Sequence, residues 1–474
     1  MKKQKYYITT SIAYANAFPH IGFALELIQA DVLSRYQRFL GKDVFFLTGT
    51  DEHGLKIART AEKEGKKPAE FVKTISKKYK ELTKILNISN NDFIRTTDRS
   101  RHWPNVKEAW ERLIKKGDIY KKKYRGLYCV GCEEFVKGKD LVNGKCPNHQ
   151  KEPEVVEEEN YFFKLSKYAE QIKKEIQADK LRIVPASRKN EILSFISQGV
   201  EDVSCSRSRK KLKWGIPVFN DKEQTIYVWF EALLNYLLPR EYWPADVHCL
   251  GKDIFRFHSL LWPAMLIALS MPRPKNILVH GFITVAGQKM SKSLGNVIDP
   301  FELAEKYGTD AVRYFLLREI PATEDGDFTY EKFEQRYNTD LANGLGNLTA
   351  RVVVLAKKLK AQKLTKAAVK NLKLKKEIDK TRQSYNQCLK EFKLNEALVA
   401  VWRLIGWCDR YIEKEKPWSL DSIKEKEKIN EVIGDLLLAV SETAKLLEPF
   451  LPETSERILK QLKNGQSRTL FPRL

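Results

Sequence analysis

The chain has 474 residues, of which 43% are hydrophobic, so it is long enough for about two to four domains with substantial cores. It contains no apolar run of about 18 residues, which excludes a transmembrane helix, and a polar stretch after the basic N-terminus argues against a secretory signal. A formal net charge of +23 fits either a lysine-rich surface or a polyanionic partner, and the absence of acidic residues over 351–376 favours nucleic acid.

The first sixty residues predict a strand, a helix and a strand. "KYYITTSI" is β-rich, the segment 22–40 has apolar residues at helical spacing, and "DVFFLTGT" (43–50) reads as a buried strand. This order predicts a βαβ unit with a parallel sheet. His20 and Gly22, in "PHIGFALE" (19–26), fall where the helix begins, and free N–H groups at such a point can bind a phosphate.

The α/β pattern is interrupted over 117–224, which we interpret as an inserted domain. Seven scattered cysteines argue against a disulfide framework and indicate a reducing, cytoplasmic location. The spacing of two ligand pairs predicts a closed tetrahedral Cys3His site of the kind that structural zinc prefers, formed by Cys129, Cys132, Cys146 and His149.

The α/β pattern resumes at "TIYVWF" (225–230) and continues with "NILVHGFIT" (276–284), interpreted as one strand. A short glycine-containing loop then leads to "KMSKS" (289–293), in which Lys289 and Lys292 could neutralise a triphosphate as pyrophosphate leaves. After about residue 335 only helical patterns remain, which predicts a helical bundle. The expected domains are 1–116 and 225–335 for a split α/β domain, 117–224 for the insertion, and 336–474 for the bundle.

The chain resembles the class I aminoacyl-tRNA synthetases and, among them, the methionyl-tRNA synthetase family. The matching segments are "AYANAFPHIGF", "GTDEHG", "YVWFEALLNY", "GKDIFRFHSLLWPAML" and "VHGFITVAGQKMSKSLGN". The resemblance implies a Rossmann-type nucleotide-binding α/β domain, an inserted zinc-containing connective domain and an all-α anticodon-binding bundle. It also implies an enzyme that activates methionine with ATP and Mg²⁺ and transfers it to tRNA(Met), including the initiator tRNA. The chain ends soon after the bundle, which favours a monomer.

The resemblance implies a methionine pocket in which Asp51 holds the ammonium and aromatic rings contact the thioether. The pocket residues are Ile12, Tyr14, Asp51, Trp229, Ala232, Leu233, Tyr236, Ile254 and His258, with Trp262 supporting them from behind.

For ATP the resemblance implies a second set of residues, with His20, Lys289 and Lys292 in the catalytic role. The ATP residues are His20, Gly22, Glu26, Gly251, Lys252, Asp253, Val279, Met290 and Lys292. Arg207 matches an arginine that helps assemble the site, although a surface or RNA-contacting role is equally open. Asn347, Arg351 and Trp418 would read the anticodon through hydrogen bonds and stacking.

Phe23 departs from the pattern, because the resembled family has a second histidine there. Two alternatives follow. Another class I synthetase, for isoleucine, valine, leucine or cysteine, is disfavoured by the short insertion and by the clustering of all four metal ligands. A non-catalytic RNA-binding protein derived from a synthetase is disfavoured by the intact "KMSKS" segment and the complete methionine pocket.

Overall fold

The structure is a computed structural model that describes residues 3–136, 138, 141–147, 150–290, 295–359 and 371–474. Its strands are β1 (Lys5–Tyr14), β2 (Asp43–Asp51), β3 (Asp92–Arg95), β4 (Ile119–Cys129), β5 (Glu134–Val136), β6 (Glu154–Phe163), β7 (Arg182–Val184), β8 (Val203–Ser204), β9 (Ser206–Ser208), β10 (Pro217–Val218), β11 (Asp221–Ile226), β12 (Val247–Gly251), β13 (Asn276–His280), β14 (Ile283–Val285), β15 (Gln288–Lys289) and β16 (Gly326–Phe328). Its α-helices are α1 (Ile21–Phe39), α2 (Leu55–Lys63), α3 (Pro68–Ile85), α4 (His102–Lys115), α5 (Ala169–Gln177), α6 (Ala186–Ser197), α7 (Val228–Ala232), α8 (Trp262–Ala268), α9 (Pro300–Tyr307), α10 (Thr309–Arg318), α11 (Tyr330–Arg336), α12 (Asn347–Lys358), α13 (Leu372–Lys390), α14 (Leu394–Glu415), α15 (Lys426–Leu447) and α16 (Pro452–Asn464).

The chain divides into two compact units. The first contains residues 1–19, 41–83 and 89–279, and the second contains 20–40, 84–88 and 280–474. No helix in the described part of the chain combines the length and the apolar character that crossing a membrane requires.

A six-stranded sheet in the order β3-β2-β1-β12-β13-β7 runs through the first unit. The β1–β2, β1–β12, β2–β3 and β7–β13 pairings are parallel. Buried strands of a parallel sheet carry near-continuous apolar or small residues, as β1 does from Tyr6 to Ser11. The predicted parallel α/β fold is confirmed.

Two antiparallel sheets are built from residues between the α/β segments. One has the order β5-β4-β6-β8 and the other β10-β11-β9. The long β4–β6 ladder pairs Ile119 with Phe163 at one end and Tyr128 with Glu154 at the other, so it brings the cysteine-containing turn after β4 to one end of the ladder.

The core of the first unit packs helices against the parallel sheet. Trp110, Trp262, Phe230 and Phe163 are among its largest fully buried side chains. Tyr14, Trp229 and Ile254 pack against this core but are only partly buried, which leaves them available at the carboxyl edge of the strands.

The second unit is mainly helical, with a small sheet in the order β15-β14-β16. Helix α14 packs against α13, α15 and α10. It buries Leu394, Ala397, Leu398, Val401 and Leu404, whose spacing of three and four residues places them on one face of a helix. The predicted helical bundle is confirmed.

One expectation for an individual segment was wrong. Residues 276–284 form two strands in different sheets, which are separated at Gly281, where the backbone of Glu324 comes so close that any Cβ would lie 2.3 Å from it. Where the α/β pattern resumes, β11 ends at Ile226 and α7 begins at Val228, so Trp229 lies in the first turn of this helix.

Candidate functional site

The ends of two neighbouring parallel strands bring Tyr14 and Asp51 together. Tyr14 of β1 pairs with Asp51 of β2, and Ile12 pairs with Gly49 two residues earlier. Asp51 is only 1% exposed, and its Oδ2 has no hydrogen-bond partner among the described residues. Burial, with the nearby Glu231 carboxylate, raises its pKa well above the ordinary value. An unpartnered buried carboxyl of this kind favours a cationic ligand group.

Aromatic rings line the space beside Asp51. The Tyr14 and Trp229 rings lie 6.2 Å apart, and Trp229 stacks on Phe257 at 4.6 Å. The Trp229 indole N–H donates to the Cys132 carbonyl at 3.2 Å, which fixes the ring. Ala232 and Leu233, at the end of α7, are buried and apolar.

Tyr236 and His258 form a buried polar pair. His258 Nδ1 lies 3.1 Å from the Ile254 carbonyl and Nε2 lies 2.9 Å from the Tyr236 hydroxyl. Because the carbonyl can only accept, Nδ1 carries the proton and Nε2 accepts from Tyr236. Burial lowers the pKa of His258 to about 4, so the ring is neutral at physiological pH.

His248 supports this pair from behind and was not predicted from the sequence. The Trp262 indole donates to His248 Nε2 at 3.2 Å, and Nδ1 faces the Thr9 hydroxyl at 2.7 Å. The His248 and Tyr236 rings lie 4.5 Å apart. Trp262 therefore acts on Tyr236 through His248 as well as through direct ring contact at 6.0 Å.

Glu133 joins the cysteine-containing turn to Tyr14, and it was not predicted from the sequence. Its Oε1 accepts from the Tyr14 hydroxyl at 2.9 Å and its Oε2 from the Tyr128 hydroxyl at 2.6 Å. Glu133 is 1% exposed and has a φ of 55°, so the turn that follows Cys132 is tightly constrained. The turn holds both aromatic walls of the space beside Asp51, since its Cys132 carbonyl anchors Trp229.

Glu231 forms a second buried network that sequence reasoning missed. It contacts His53 Nδ1 at 2.7 Å and His102 Nε2 at 2.5 Å. Burial would raise its pKa, but the two histidines outweigh that effect and hold the pKa below the ordinary value. The negative charge of Glu231 raises the pKa of Asp51 in turn.

Three of the four predicted metal ligands lie together. The Sγ atoms of Cys129, Cys132 and Cys146 are all within 4.8 Å of one another, and those of Cys132 and Cys146 are 3.6 Å apart. Tetrahedral Zn–S bonds of about 2.3 Å place sulfurs about 3.8 Å apart, so the cluster fits such an ion. His149 lies outside the described residues.

Arg207 is buried and enclosed by aromatic rings. Its guanidinium lies 4.5–4.8 Å from the ring centres of Tyr128, Phe135 and Tyr227. It also donates to the Ser204 hydroxyl and the Ser206 carbonyl, both at 2.8 Å. Its contacts secure the β4–β5 turn, and its 6% exposure is incompatible with a role on the open surface.

In the second unit, His20 caps the N-terminus of α1. Its Nδ1 accepts from the Gly22 N–H at 3.0 Å. A Cβ at Gly22 would lie 2.8 Å from the His20 ring and 3.7 Å from the Met290 methyl. Glycine at this position therefore lets His20 and Met290 approach the beginning of the helix.

Glu26, one turn further along α1, is buried beside His280. Its Oε2 lies 2.9 Å from His280 Nε2, a partner that the sequence analysis did not identify. Lys289 is exposed, with its ammonium 5.7 Å from the Phe282 ring centre. Lys292 lies outside the described residues.

The remaining predicted ATP residues lie in the first unit. Gly251 ends β12 and is buried, Lys252 is half-buried and Asp253 is exposed in the turn that follows. Val279 is buried in β13. Gly251 and Val279 thus occupy adjacent strands of the parallel sheet, at the carboxyl edge where such sheets bind ligands.

An exposed patch on the second unit contains Asn347, Arg351 and Trp418; we call it the Trp418 patch. Asn347 and Arg351 are one turn apart on α12. Arg351 pairs with Glu413 at 2.7 Å, and its guanidinium lies 5.9 Å from the centre of the Trp418 ring. Trp418 is 44% exposed although tryptophan is usually buried, which is typical of a stacking surface.

Comparisons with known proteins identify the family. The family of "tRNA synthetases class I (M)" matches residues 6–153 and 136–353, and the "anticodon-binding domain of tRNA ligase" matches 371–472. A methionine–tRNA ligase from Thermotoga maritima is 41% identical over 475 residues, which cover 97% of this chain and 75% of that protein. The chain belongs to the methionyl-tRNA synthetase family.

Other relatives agree with this assignment. The methionine–tRNA ligase of Nostoc sp. is 41% identical over 97% of this chain and 90% of its own length. The Mycobacterium tuberculosis methionyl-tRNA synthetase in complex with methionyl-adenylate superposes with a TM-score of 0.92 at 38% identity, covering 98% of this chain and 95% of that one. As a family member the chain is a class I methionine–tRNA ligase, as the sequence predicted.

Proposed function

We propose that this chain joins methionine to tRNA(Met) in two steps, through the residues described above. In the first step a methionine carboxylate oxygen attacks the α-phosphate of ATP, and pyrophosphate leaves. In the second step a terminal ribose hydroxyl of the tRNA attacks the carbonyl carbon of methionyl-adenylate, and AMP leaves. The Mycobacterium tuberculosis relative was solved in complex with methionyl-adenylate, the product of the first step, which supports that step.

The observation that carries the proposal is the unpartnered Oδ2 of Asp51 beside the Tyr14 and Trp229 rings. An ammonium that binds there would stabilise the carboxylate form and lower the pKa that burial raises. The neutral Tyr236–His258 pair adds no charge to the space that a thioether would occupy, and polarisable sulfur makes favourable contacts with aromatic rings. Ile12, Ala232, Leu233 and Ile254 would complete the apolar surface.

Hydrogen-bond donors and positive charges would stabilise the phosphates as pyrophosphate leaves. We assign this role to His20, Lys289, Lys292 and the N-terminal N–H groups of α1. Gly22, Glu26, Gly251, Lys252, Asp253, Val279 and Met290 would hold the rest of ATP. No side-chain nucleophile is needed, because orientation and charge stabilisation account for such chemistry. Mg²⁺ would accompany ATP.

The cysteine cluster would hold a structural zinc ion through Cys129, Cys132, Cys146 and His149. Four protein ligands leave no open position, so the ion would fix the turn that carries Glu133 and take no part in the reaction. We expect about one equivalent of zinc in freshly purified protein. Less than half an equivalent by metal analysis would contradict this assignment.

The Trp418 patch would read the anticodon of tRNA(Met), including the initiator tRNA. Amide and guanidinium groups can hydrogen-bond to splayed bases, and an indole can stack on them. We further propose a cytoplasmic monomer with the domain boundaries 1–116, 117–224, 225–335 and 336–474.

Amino-acid-dependent pyrophosphate exchange tests the proposal. Exchange should require methionine and should not occur with isoleucine, valine, leucine or cysteine. Asp51→Asn should raise KM for methionine by at least about 100-fold, because the ammonium would lose a charged partner, while Asp379→Asn on the exposed side of α13 should have no effect. Exchange driven by isoleucine, or an unchanged KM in Asp51→Asn, would refute the assigned pocket.

A further inference from the structure

A cavity of about 400 Å³ lies in the second unit between the C-terminal end of α10 and helices α13 and α14. It is separate from the Trp418 patch and from every residue predicted from the sequence. Its lining residues are Arg318, Glu377, Val399, Trp402, Arg403, Gly406 and Arg410.

The three cavity arginines lack the acidic partners that neighbouring arginines have. Arg336 pairs with Glu319, and Arg351 pairs with Glu413. By contrast, the guanidinium groups of Arg318, Arg403 and Arg410 make no ion pair or hydrogen bond with any residue in the described part of the chain, although Glu377 lies in the same lining.

Two buried donors also remain unused. The Nε of Arg318 and the indole Nε1 of Trp402 are inaccessible to solvent and have no partner within the described ranges. Trp402 is held in place by Tyr314, whose ring centre lies 4.6 Å away. Buried N–H donors are costly when unpaired, so their presence beside three guanidinium groups indicates a site for an anion.

Gly406 contributes space to the cavity. It lies in the interior of α14, where glycine is the least favourable residue after proline. A Cβ at this position would lie 3.5 Å from the Arg410 Nη1. Any larger side chain would therefore fill the space in front of that guanidinium.

The cavity and the Trp418 patch lie along one face of α14. Residues 399, 402, 403, 406 and 410 follow the three- and four-residue spacing of a helix face, and Glu413, the partner of Arg351, continues it. Gly406 and Glu413 are about 10 Å apart along the helix axis, since each residue rises about 1.5 Å. If the bases of an RNA strand contact the Trp418 patch, the sugar-phosphate backbone of that RNA would lie within reach of the cavity.

We propose that this cavity binds a phosphodiester group of the tRNA strand whose bases meet the Trp418 patch, an inference that rests on the proposed tRNA ligase function. Guanidinium groups match phosphate oxygens in bidentate geometry, and the Trp402 N–H offers a further donor. The lining carries three arginines and one glutamate, and the nearby Asp409 carboxyl offsets part of the charge of Arg410, so the remaining positive charge suits a phosphodiester embedded in a polyanion. The site would position the RNA without reading its sequence.

The test is direct binding of an unmodified tRNA(Met) transcript to the full chain at several salt concentrations. The variant is R403Q/R410Q, and the matched control is K460Q/K463Q, which removes two exposed charges from α16. We expect the cavity variant to raise Kd about 10-fold or more and to reduce the slope of log K against log salt by about 1. Methionine-dependent pyrophosphate exchange should stay unchanged.

Three results would overturn the proposal: a Kd equal to that of the unaltered chain, a loss no greater than that of the control, or a parallel fall in pyrophosphate exchange. If tRNA affinity is retained but inorganic phosphate no longer stabilises the variant in thermal melts, the cavity holds a free anion and the RNA assignment is wrong. Failure of the proposed function would be detected by a different measurement, since the unaltered chain would then not attach methionine to tRNA(Met).

Discussion

At the scale of single residues, Phe23 is the main departure from the pattern of the resembled family. It is the third residue of α1, next to Gly22 and the capping His20, and it is partly buried. A phenyl ring cannot donate a hydrogen bond, whereas the histidine of the resembled family can. In the proposed mechanism His20 and Lys289 retain their roles, so we expect the difference to change the rate of adenylation and not the reaction itself.

We predict that Phe23→His increases the rate of methionine-dependent adenylate formation. Removing one preorganised donor from a transition state costs about 10²–10³-fold in comparable cases, so restoring one could give a gain of up to about 100-fold. Rapid-quench measurement of adenylate formation gives the rate. Phe23→Leu, which adds no donor, should show no gain, and an unchanged rate in Phe23→His would mean that neighbouring groups already compensate.

His258 provides a prediction about pH. Its folded-state pKa of about 4 lies below the ordinary 6.5, so the unfolded chain takes up the proton first as pH falls. The stabilisation due to the neutral ring is therefore complete above about pH 6.5 and is lost as pH falls through 4. Between about pH 6.5 and pH 4, the contribution of this residue to the free energy of unfolding falls by roughly 1.4 kcal/mol per pH unit.

Urea unfolding of the unaltered chain and of His258→Gln at pH 7.5, 6.0 and 5.0 tests this prediction. The unaltered chain should be more stable at pH 7.5, and the difference should narrow steadily as pH falls. The buried His248 is present in both proteins, so its own titration largely cancels. A difference that stays constant across the three pH values would contradict a neutral buried His258.

At the scale of elements, the sequence predicts those features of the site that depend on residues close together in the chain. His20 and Gly22 are neighbours along the chain, and the cysteine spacing places two thiols on one turn. Glu133, His248 and Glu231 escaped prediction because their partners are distant: the Tyr14–Glu133 bond spans 119 residues and the His53–Glu231 contact 178. Only the folded chain brings these three side chains to their partners. The expected strand 276–284 failed for a similar reason, because the break between its two strands lies at Gly281, which packs against the backbone of Glu324, a residue distant in the chain.

Helices α1 and α10 of the second unit are joined by a buried ion pair. Arg313 is fully buried and contacts Asp31 Oδ2 at 2.8 Å. It also donates to the carbonyls of Phe450, Leu86 and Pro449 at 2.8–3.0 Å. One guanidinium thus satisfies four acceptors from separate segments.

We predict that Arg313→Met lowers the free energy of unfolding by about 3–5 kcal/mol, because it leaves the Asp31 carboxylate and three carbonyls without this donor. The double variant with Asp31→Leu should recover part of the loss, since it removes the fully buried carboxylate, while Arg35, which also contacts Asp31, keeps its pair with Glu448. Lys306→Met removes a solvent-exposed pair with Glu334 and should cost less than about 1 kcal/mol. If Arg313→Met and Lys306→Met lower the free energy of unfolding in urea by equal amounts, burial does not strengthen the Arg313–Asp31 ion pair.

At the scale of the whole molecule, the residues that we propose for methionine binding and for RNA contact belong to different units. Asp51, Trp229 and His258 belong to the first unit, whereas Arg351 and Trp418 belong to the second. The net charge of +23 suits the second role, because binding a polyanion releases counterions. Raising the salt concentration should therefore weaken tRNA binding far more than it affects adenylate formation.

We predict that Trp418→Ala reduces kcat/KM for tRNA charging by about 5- to 150-fold, the loss expected when one base loses a stacking partner worth about 1–3 kcal/mol. Pyrophosphate exchange with methionine should stay within about twofold of the unaltered chain, because no residue assigned to methionine or phosphate binding is changed. Tyr330→Ala removes another exposed aromatic ring from the second unit and should leave both activities intact. Parallel loss of charging and exchange in Trp418→Ala would mean that the tryptophan stabilises the fold and does not contact RNA.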